Sequence, residues 1–540
     1  MAHCAPSSKD KRVNWGRLLK FVPINKSEST ATAIREVLAT LVITLPWLNP
    51  FAPGPSPAVL PWLVALAATA GLILLASLRA ISGEAVSGAS FERRWAYPAA
   101  WAWVLAGAIS SSIGLLQYFD VAPALDPWVN PTSQGEAFAN LRQRNQFATL
   151  TNMALAALLG LVLNGRFSGR RQWLALAAAG LLAAGNAASS SRTGLVQLVL
   201  LCVLFWFWGG WRQPAVRRVL MVAALVYVLA VLTLPWLAGF EWPAHGMVAR
   251  LRTGDAVCGS RLTLWSNVLH LIAQKPWFGW GWGELDYAHY VTLYPGERFC
   301  DILDNAHNLP LHLAVELGIP IALTVCGGLV WLVWRLKPWR ETDPTRQMAW
   351  GVLAVIMLHS MLEYPLWYGP FQMAFGLCVW MLWPAPRERA VDTHENSLVA
   401  PMVRVAFAAA LVVAVAYAAW DYHRVSQIYL APQARDSAYR DDTMDKIRGS
   451  WFFRNQVRFA ELTTTSLTRD NAQWTCDTAT ALLHYSPEPR VIEKAIESAV
   501  MLGRDDEALL HLARYRTAFP PEHKKWRDAN GSSQATDVQR

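Results

Sequence analysis

In 304-DNAHNLPLHLAVELG-318 a histidine stands between two asparagines, where a polar run meets an apolar segment that begins at Leu309. The ordinary pKa of histidine, about 6.5, suits general-base work near neutrality. Asn305 and Asn308 carry side chains able to fix His307 through hydrogen bonds. Other polar residues stand oddly at the ends of apolar segments. They are Arg142, Arg144, Asn145 and Gln146 in 141-LRQRNQFATL-150, Arg192 in 187-AASSSRTG-194, Arg261 in 259-GSRLTLW-265, and Glu363 and Tyr364 in 363-EYPLWYG-369. Well-separated guanidinium groups recognise phosphate bidentately. The chemistry on offer is proton removal from a hydroxyl while an anionic group departs, with arginines carrying the charge a metal carries elsewhere.

Each residue also has a plainer reading. Arg192 follows a run of small residues, and an arginine near an interface can simply snorkel. Arg261 fits an ordinary cation of an amphipathic helix, and Arg142 and Arg144 fit contacts to lipid phosphates. Gln146 reads equally as a helix-start residue, Tyr364 as an interfacial anchor and Glu363 as an arginine's partner. His312 lies five residues after His307, so the two do not share a helical face as a zinc-binding H-E-x-x-H pair does. His270, His289 and His359 read as structural. No paired-aspartate motif or Cys/His spacing points to a metal, and no cofactor is expected.

The elements that must position these groups are membrane spans. Of 540 residues, 54% are hydrophobic, 16% are charged and 28 are Trp, against about 25% charged in soluble domains. Apolar segments of spanning length run over 34–48, 58–79, 99–119, 144–163, 172–188, 193–209, 216–237, 309–335, 347–363, 367–384 and 403–420. Trp47, Trp62, Trp101, Trp236, Trp334, Trp367 and Trp383 fall near span ends, as interfacial aromatics do. The net charge of +9 is not a nucleic-acid signature, because Lys and Arg concentrate in alternate short loops. The tail up to Arg35 holds seven and loop 335–347 four, whereas 49–57 and 363–368 hold none. That alternation predicts a cytoplasmic N-terminus and puts every polar residue named above on the outer side. The polar, basic start has no compact apolar core, so no cleaved signal peptide is expected.

Two regions outside the membrane are large. In loop 238–308, 261-RLTLWSNVLHLIAQKPW-277 has the apolar spacing of an amphipathic helix on the bilayer surface, and FGWGWG after it reads as a flexible turn with anchoring Trp residues. In the tail, 491-VIEKAIESAVMLGRDDEALLHLARYRTAFP-520 predicts two helices joined at Gly503, like one tetratricopeptide-type pair. The expected organisation is a cytoplasmic tail over 1–33, a membrane domain over 34–420 with the loop 238–308, and an outer helical domain over 421–540.

Taken together and in order, L-R-Q-R-N-Q, S-S-S-R-T-G, S-R-L-T-L-W with K-P-W-F-G-W-G-W-G, D-N-A-H-N and E-Y-P-L-W-Y resemble the O-antigen ligase superfamily over roughly residues 35–420. The match is nearest its bacterial protein O-oligosaccharyltransferase branch. The resemblance implies an all-α, GT-C-like polytopic fold of about 11–12 spans in the bacterial inner membrane, its active site facing the periplasm. It implies metal-independent, inverting transfer of a glycan from undecaprenyl diphosphate to Ser or Thr of an exported, pilin-like protein. His307 matches the essential loop histidine, Arg192 and Arg261 the diphosphate-holding arginines, joined here by Arg142 and Arg144. Gln146 and Tyr364 match positions needed in the protein-glycosylating branch, with Asn145, Asn305, Asn308 and Glu363 as positioning residues. A periplasmic setting also fits a disulfide between Cys258 and Cys300, with Cys476 left over on the same side.

Three other readings stay open. An O-antigen ligase would pass the glycan to lipid A–core, and a polymerase would extend it on its carrier. A transporter of lipid-linked sugar predicts cations inside the spans and an internal repeat, and the sequence has neither.

Overall fold

The computed structural model describes residues 26–81, 88–241, 244–253, 257–383 and 399–537. The segments 1–25 and 384–398, which entered the charge count, lie outside the described residues. Every regular element among the described residues is helical.

The first seven helices are α1 (Lys26–Leu48), α2 (Val59–Ile81), α3 (Gly88–Tyr118), α4 (Arg144–Leu163), α5 (Gln172–Ala188), α6 (Arg192–Phe207) and α7 (Pro214–Leu237). The loop carries α8 (Gly246–Thr253), α9 (Arg261–Gln274) and α10 (Leu285–Val291). Next come α11 (Leu309–Leu317), α12 (Ile319–Leu336), α13 (Pro344–Ser360), α14 (Gly369–Leu382) and α15 (Val399–Ser426). Seven helices are long and apolar enough to cross a membrane, and α6 and α14 are shorter apolar ones. The chain is a polytopic, all-helical membrane protein.

Helix α4 is the axis. Phe147, Leu150, Met153 and Leu158 are fully buried, among α3, α5, α6 and α13. By contrast α12 and α15 turn apolar side chains outward, with Leu323, Trp334, Met402 and Val413 exposed, as helices bathed in lipid do. Trp47, expected at the interface, is instead a core residue, 0% exposed and edge-on to Phe371 at 4.9 Å.

The apolar segment expected as one span over 309–335 is broken. Gly318 takes φ +89°, and a Cβ there would lie 2.2 Å from the Trp277 carbonyl oxygen. The FGWGWG segment fills the break rather than forming a loose turn. Trp280 N–H donates to Val315 O (2.9 Å), Gly281 N–H to Glu316 O (3.0 Å) and Ile319 N–H to Pro276 O (2.8 Å). The backbone groups freed by the break are thereby satisfied. Nor does α9 lie alone on a surface, since its Leu264, Val268 and Leu271 are buried in a cluster with Leu313 and Val315 of α11.

The tail folds as α16 (Thr443–Ile447), α17 (Arg454–Thr464), α18 (Ala472–Leu482), α19 (Pro489–Met501), α20 (Asp505–Ala518) and α21 (Pro520–Asp537). Helices α19 and α20 meet at Gly503, φ +72°. Tyr290 of α10 enters their core with Ile492 and Leu482, and its hydroxyl meets His511 Nδ1 at 2.9 Å. The Tyr422 hydroxyl at the end of α15 donates to Pro53 O (2.7 Å) and receives the Ser56 N–H (2.9 Å). The tail, the loop before α11 and the α1–α2 loop therefore meet at one end of the helices.

Candidate active site

That end carries a bonded row of polar side chains. His307 sits in the left-handed region, φ +50°, a costly conformation for a non-glycine residue that clusters at functional sites. Asn305 Oδ1 accepts its backbone N–H at 2.9 Å. Asn308 caps α11, its Oδ1 receiving Leu311 N–H (3.1 Å) while its Nδ2 donates to Met361 O (3.1 Å). One asparagine thus shapes the turn, and the other stitches the start of α11 to the end of α13. From α9, Trp265 Nε1 donates to Ala306 O at 3.1 Å. His307 is held from three sides by backbone and caps.

The ring faces Glu363, which lies in the turn just past α13. His307 Nδ1 is 2.8 Å from Glu363 Oε2. A carboxylate only accepts, so Nδ1 carries the proton and Nε2 is the nitrogen left with a lone pair. Glu363 Oε1 accepts from Arg261, the first residue of α9, and from Asn145 Nδ2 at 3.1 Å. Burial alone would raise the Glu363 pKa, but the hydrogen bond from His307 and the charges of His307 and Arg261 outweigh it and hold the carboxyl below its ordinary range. Asp304, in the same turn, goes the other way, pushed up by burial. Tyr364 meets the His307 ring edge-on at 5.0 Å. Burial raises its phenol to about 12, so it remains a hydroxyl donor.

The row continues into the bundle. Ser191 Oγ donates to Asn145 Oδ1 (2.6 Å) and caps α6 by accepting Gly194 N–H (3.0 Å), which puts Arg192 at the first turn of α6. Gly194 has to be glycine, since a Cβ would lie 2.3 Å from Asn186 Oδ1. One turn below Asn145, Thr149 Oγ1 contacts His359 Nδ1 at 2.9 Å, and Gln197 Nε2 donates to Thr149 Oγ1 (2.9 Å) and Val355 O (3.0 Å). These buried polar groups tie α4, α6 and α13 together beneath the site. Thr149 and Gln197 were not singled out in the sequence and His359 was read only as structural, although His359 and Glu363 stand four apart, the spacing that stacks side chains at a helix end.

The remaining expected residues divide. The Gln146 Oε1 atom is buried and has no hydrogen-bond partner among the described residues. Arg144 pairs with Glu136. Arg142 braces two loops, its Nη2 donating to Pro50 O (2.6 Å) and Asn130 Oδ1 (3.0 Å). Cys258 and Cys300 are disulfide-bonded, Cα atoms 5.2 Å apart, which closes the loop ahead of α9. His312 is buried against Glu316 (3.4 Å) and Trp367, in a structural setting.

Fold and site together define a multi-pass membrane protein with a histidine–carboxylate–arginine site at one end of its helices. Comparison with known families adds the following. The family described as O-antigen ligase matches residues 177–326, that described as protein glycosylation ligase matches 137–161, and the C-terminal part of virulence factor membrane-bound polymerase matches 347–534. The chain is 24% identical to a general O-oligosaccharyltransferase of Acinetobacter baylyi, over 51% of this chain and 48% of that protein. It is 25% identical to a ComP-specific O-oligosaccharyltransferase of the same organism, over 52% and 50%. The matches thus span about half the length of these relatives. No solved structure matches. The resemblance read from the motifs holds: the chain is similar to the O-antigen ligases and to the O-oligosaccharyltransferases.

Proposed function

We propose that the chain is a glycosyltransferase that moves a glycan, as a block, from undecaprenyl diphosphate to Ser or Thr hydroxyls of exported proteins at the periplasmic face of the bacterial inner membrane. The observation that carries this reading is the His307–Glu363–Arg261 row. Glu363 fixes the His307 tautomer, as carboxylates do for imidazole bases, and leaves Nε2 with the lone pair a base needs. Nε2 takes the acceptor hydroxyl proton as that oxygen forms its bond to the anomeric carbon. The bond from that carbon to the diphosphate breaks on the opposite face, inverting the centre. Arg261 and Arg192 take the charge that gathers on the departing diphosphate, without a metal. Gln146 Oε1 and the Tyr364 hydroxyl position donor or acceptor. Arg142 and Arg144 shape the surrounding walls through their own partners.

The names of the A. baylyi relatives support a protein acceptor. The polymerase match over 347–534 favours one second reading, in which the acceptor is another lipid-linked glycan. The test is expression in a strain without its own ligases that makes one undecaprenyl-linked glycan, supplied with a pilin-type protein or an accepting lipid A–core. Glycan on the protein, absent in His307→Ala at equal protein level, is the expected result. Lengthened glycan on the carrier alone moves the assignment to a polymerase, and glycan on the lipid core alone to a ligase. Full transfer by His307→Ala would refute the mechanism.

A further inference from the structure

The cavity between α2 and α14 has apolar walls such as Leu66, Leu72 and Met373. A different cavity, of about 350 Å³, lies between the turn at 133–136, the Ser189–Ser190 turn and the start of α8. Its walls include Ser133, Glu136, Arg144, Ser190, His245 and Arg250. Arg250 Nη1 donates to the Ser190 carbonyl at 3.0 Å, holding a buried serine at φ +51°. His245 lies flat on Phe240, centroids 4.0 Å apart and planes 8° apart. Arg144 and Ser190 directly precede Asn145 and Ser191, which are bonded to each other and, through Asn145, to Glu363. The pocket therefore borders the same row of bonds that orients His307.

The wall chemistry selects a ligand class. A diphosphate would be repelled by a carboxylate in the wall, and here Glu136 lines the cavity beside Arg144, its partner. An isoprenoid tail asks for apolar walls. Hydroxyls, a carboxylate–guanidinium pair and a flat stacked ring suit a sugar, whose hydroxyls both donate and accept and whose C–H face lies against a ring plane. At 350 Å³ it is within the ordinary size of ligand sites.

We infer that this pocket is a glycan subsite, which takes the sugars of the donor beyond the one whose anomeric carbon reacts. The inference rests on the transfer reading above. Its consequence is that selection for a long glycan resides here, away from the histidine.

The test uses the purified full chain with two donors on the same polyprenyl diphosphate, one bearing a single sugar and one an oligosaccharide. Ser133→Trp narrows the pocket from an exposed position, and His245→Ala removes the flat ring. The ratio of kcat/KM for the long donor to that for the short one should fall at least about tenfold in both variants, the size of step one good sugar contact supplies. A ratio equal to wild type in both variants overturns the subsite while leaving the transfer reading standing. Binding of the free oligosaccharide, followed by saturation-transfer NMR, should be lost in the same variants. Binding so lost, with no transfer by the wild type to any acceptor, sinks the transfer reading and keeps the subsite. No binding and no transfer by the wild type overturns both.

Discussion

Glu363 does three jobs with two oxygens: it receives His307 Nδ1, Arg261 and Asn145. Its pKa in the folded protein lies below the ordinary carboxylate range. The stabilisation it provides is therefore present above that range and lost as pH falls through the depressed value. Between pH 5 and 8 the Glu363 charge should stay constant, so any change of rate there comes from another group. Glu363→Gln should lower kcat by roughly 10²-fold or more, the usual worth of an oriented general base. A pH–rate profile of that variant, with protein level controlled, checks it, and an unchanged kcat would separate Glu363 from the imidazole. His307 was legible in the sequence because a histidine between asparagines at a span end has few bland explanations. The role of Arg142 was not, because which carbonyls a guanidinium finds depends on loops 92 residues away in sequence, here Pro50.

At the scale of elements, the break at Gly318 sets where α11 and His307 stand relative to the spans. The positive φ and the Trp277 carbonyl at 2.2 Å from a would-be Cβ make Gly318→Ala doubly unfavourable. A loss of about 1–3 kcal/mol is expected from the backbone conformation alone, read as a lower unfolding temperature in detergent. Wild-type stability in that variant would mean that the two backbones do not meet as described. Hydrophobic runs located one helix at ten of the eleven expected spans and two at 309–335, since apolar length is the dominant signal in a bilayer. The break was written in the sequence as Gly-Ile-Pro after Leu317. It was masked because the apolar run continues on both sides. Trp47 failed as an interfacial anchor for the converse reason, since its position at a span end said nothing of Phe371 packed against it.

For the whole molecule, the question is how 120 residues of tail are fixed to a membrane domain. Asp421, fully buried at the end of α15, accepts from Arg424 (2.7 Å), Ser450 Oγ (3.0 Å) and the backbone N–H groups of Trp451 (3.2 Å) and Phe452 (3.1 Å). Removing one member of a buried, hydrogen-bonded ion pair costs about 3–5 kcal/mol. Asp421→Ala should therefore loosen the tail, exposing 430–453 to limited proteolysis well before the spans unfold. Equal protease resistance would place the anchoring elsewhere, with Tyr290 and His511 as the next candidates. The helix pair at Gly503 was visible as a local pattern. Its docking on α10 was not, because that contact joins residues 221 apart in sequence. Through it, tail, loop and site form one assembly at the same end of the helices.

The most direct test of the central claim is single-turnover transfer by the purified protein in the presence of EDTA, from a polyprenyl-diphosphate oligosaccharide to a Ser-containing acceptor peptide. Wild type and His307→Ala would be compared at matched folding. The account predicts transfer by the wild type that EDTA does not diminish, and a rate at least about 10²-fold lower in the variant. Equal rates in the two proteins, or a wild-type rate abolished by EDTA and restored by a divalent cation, would contradict it.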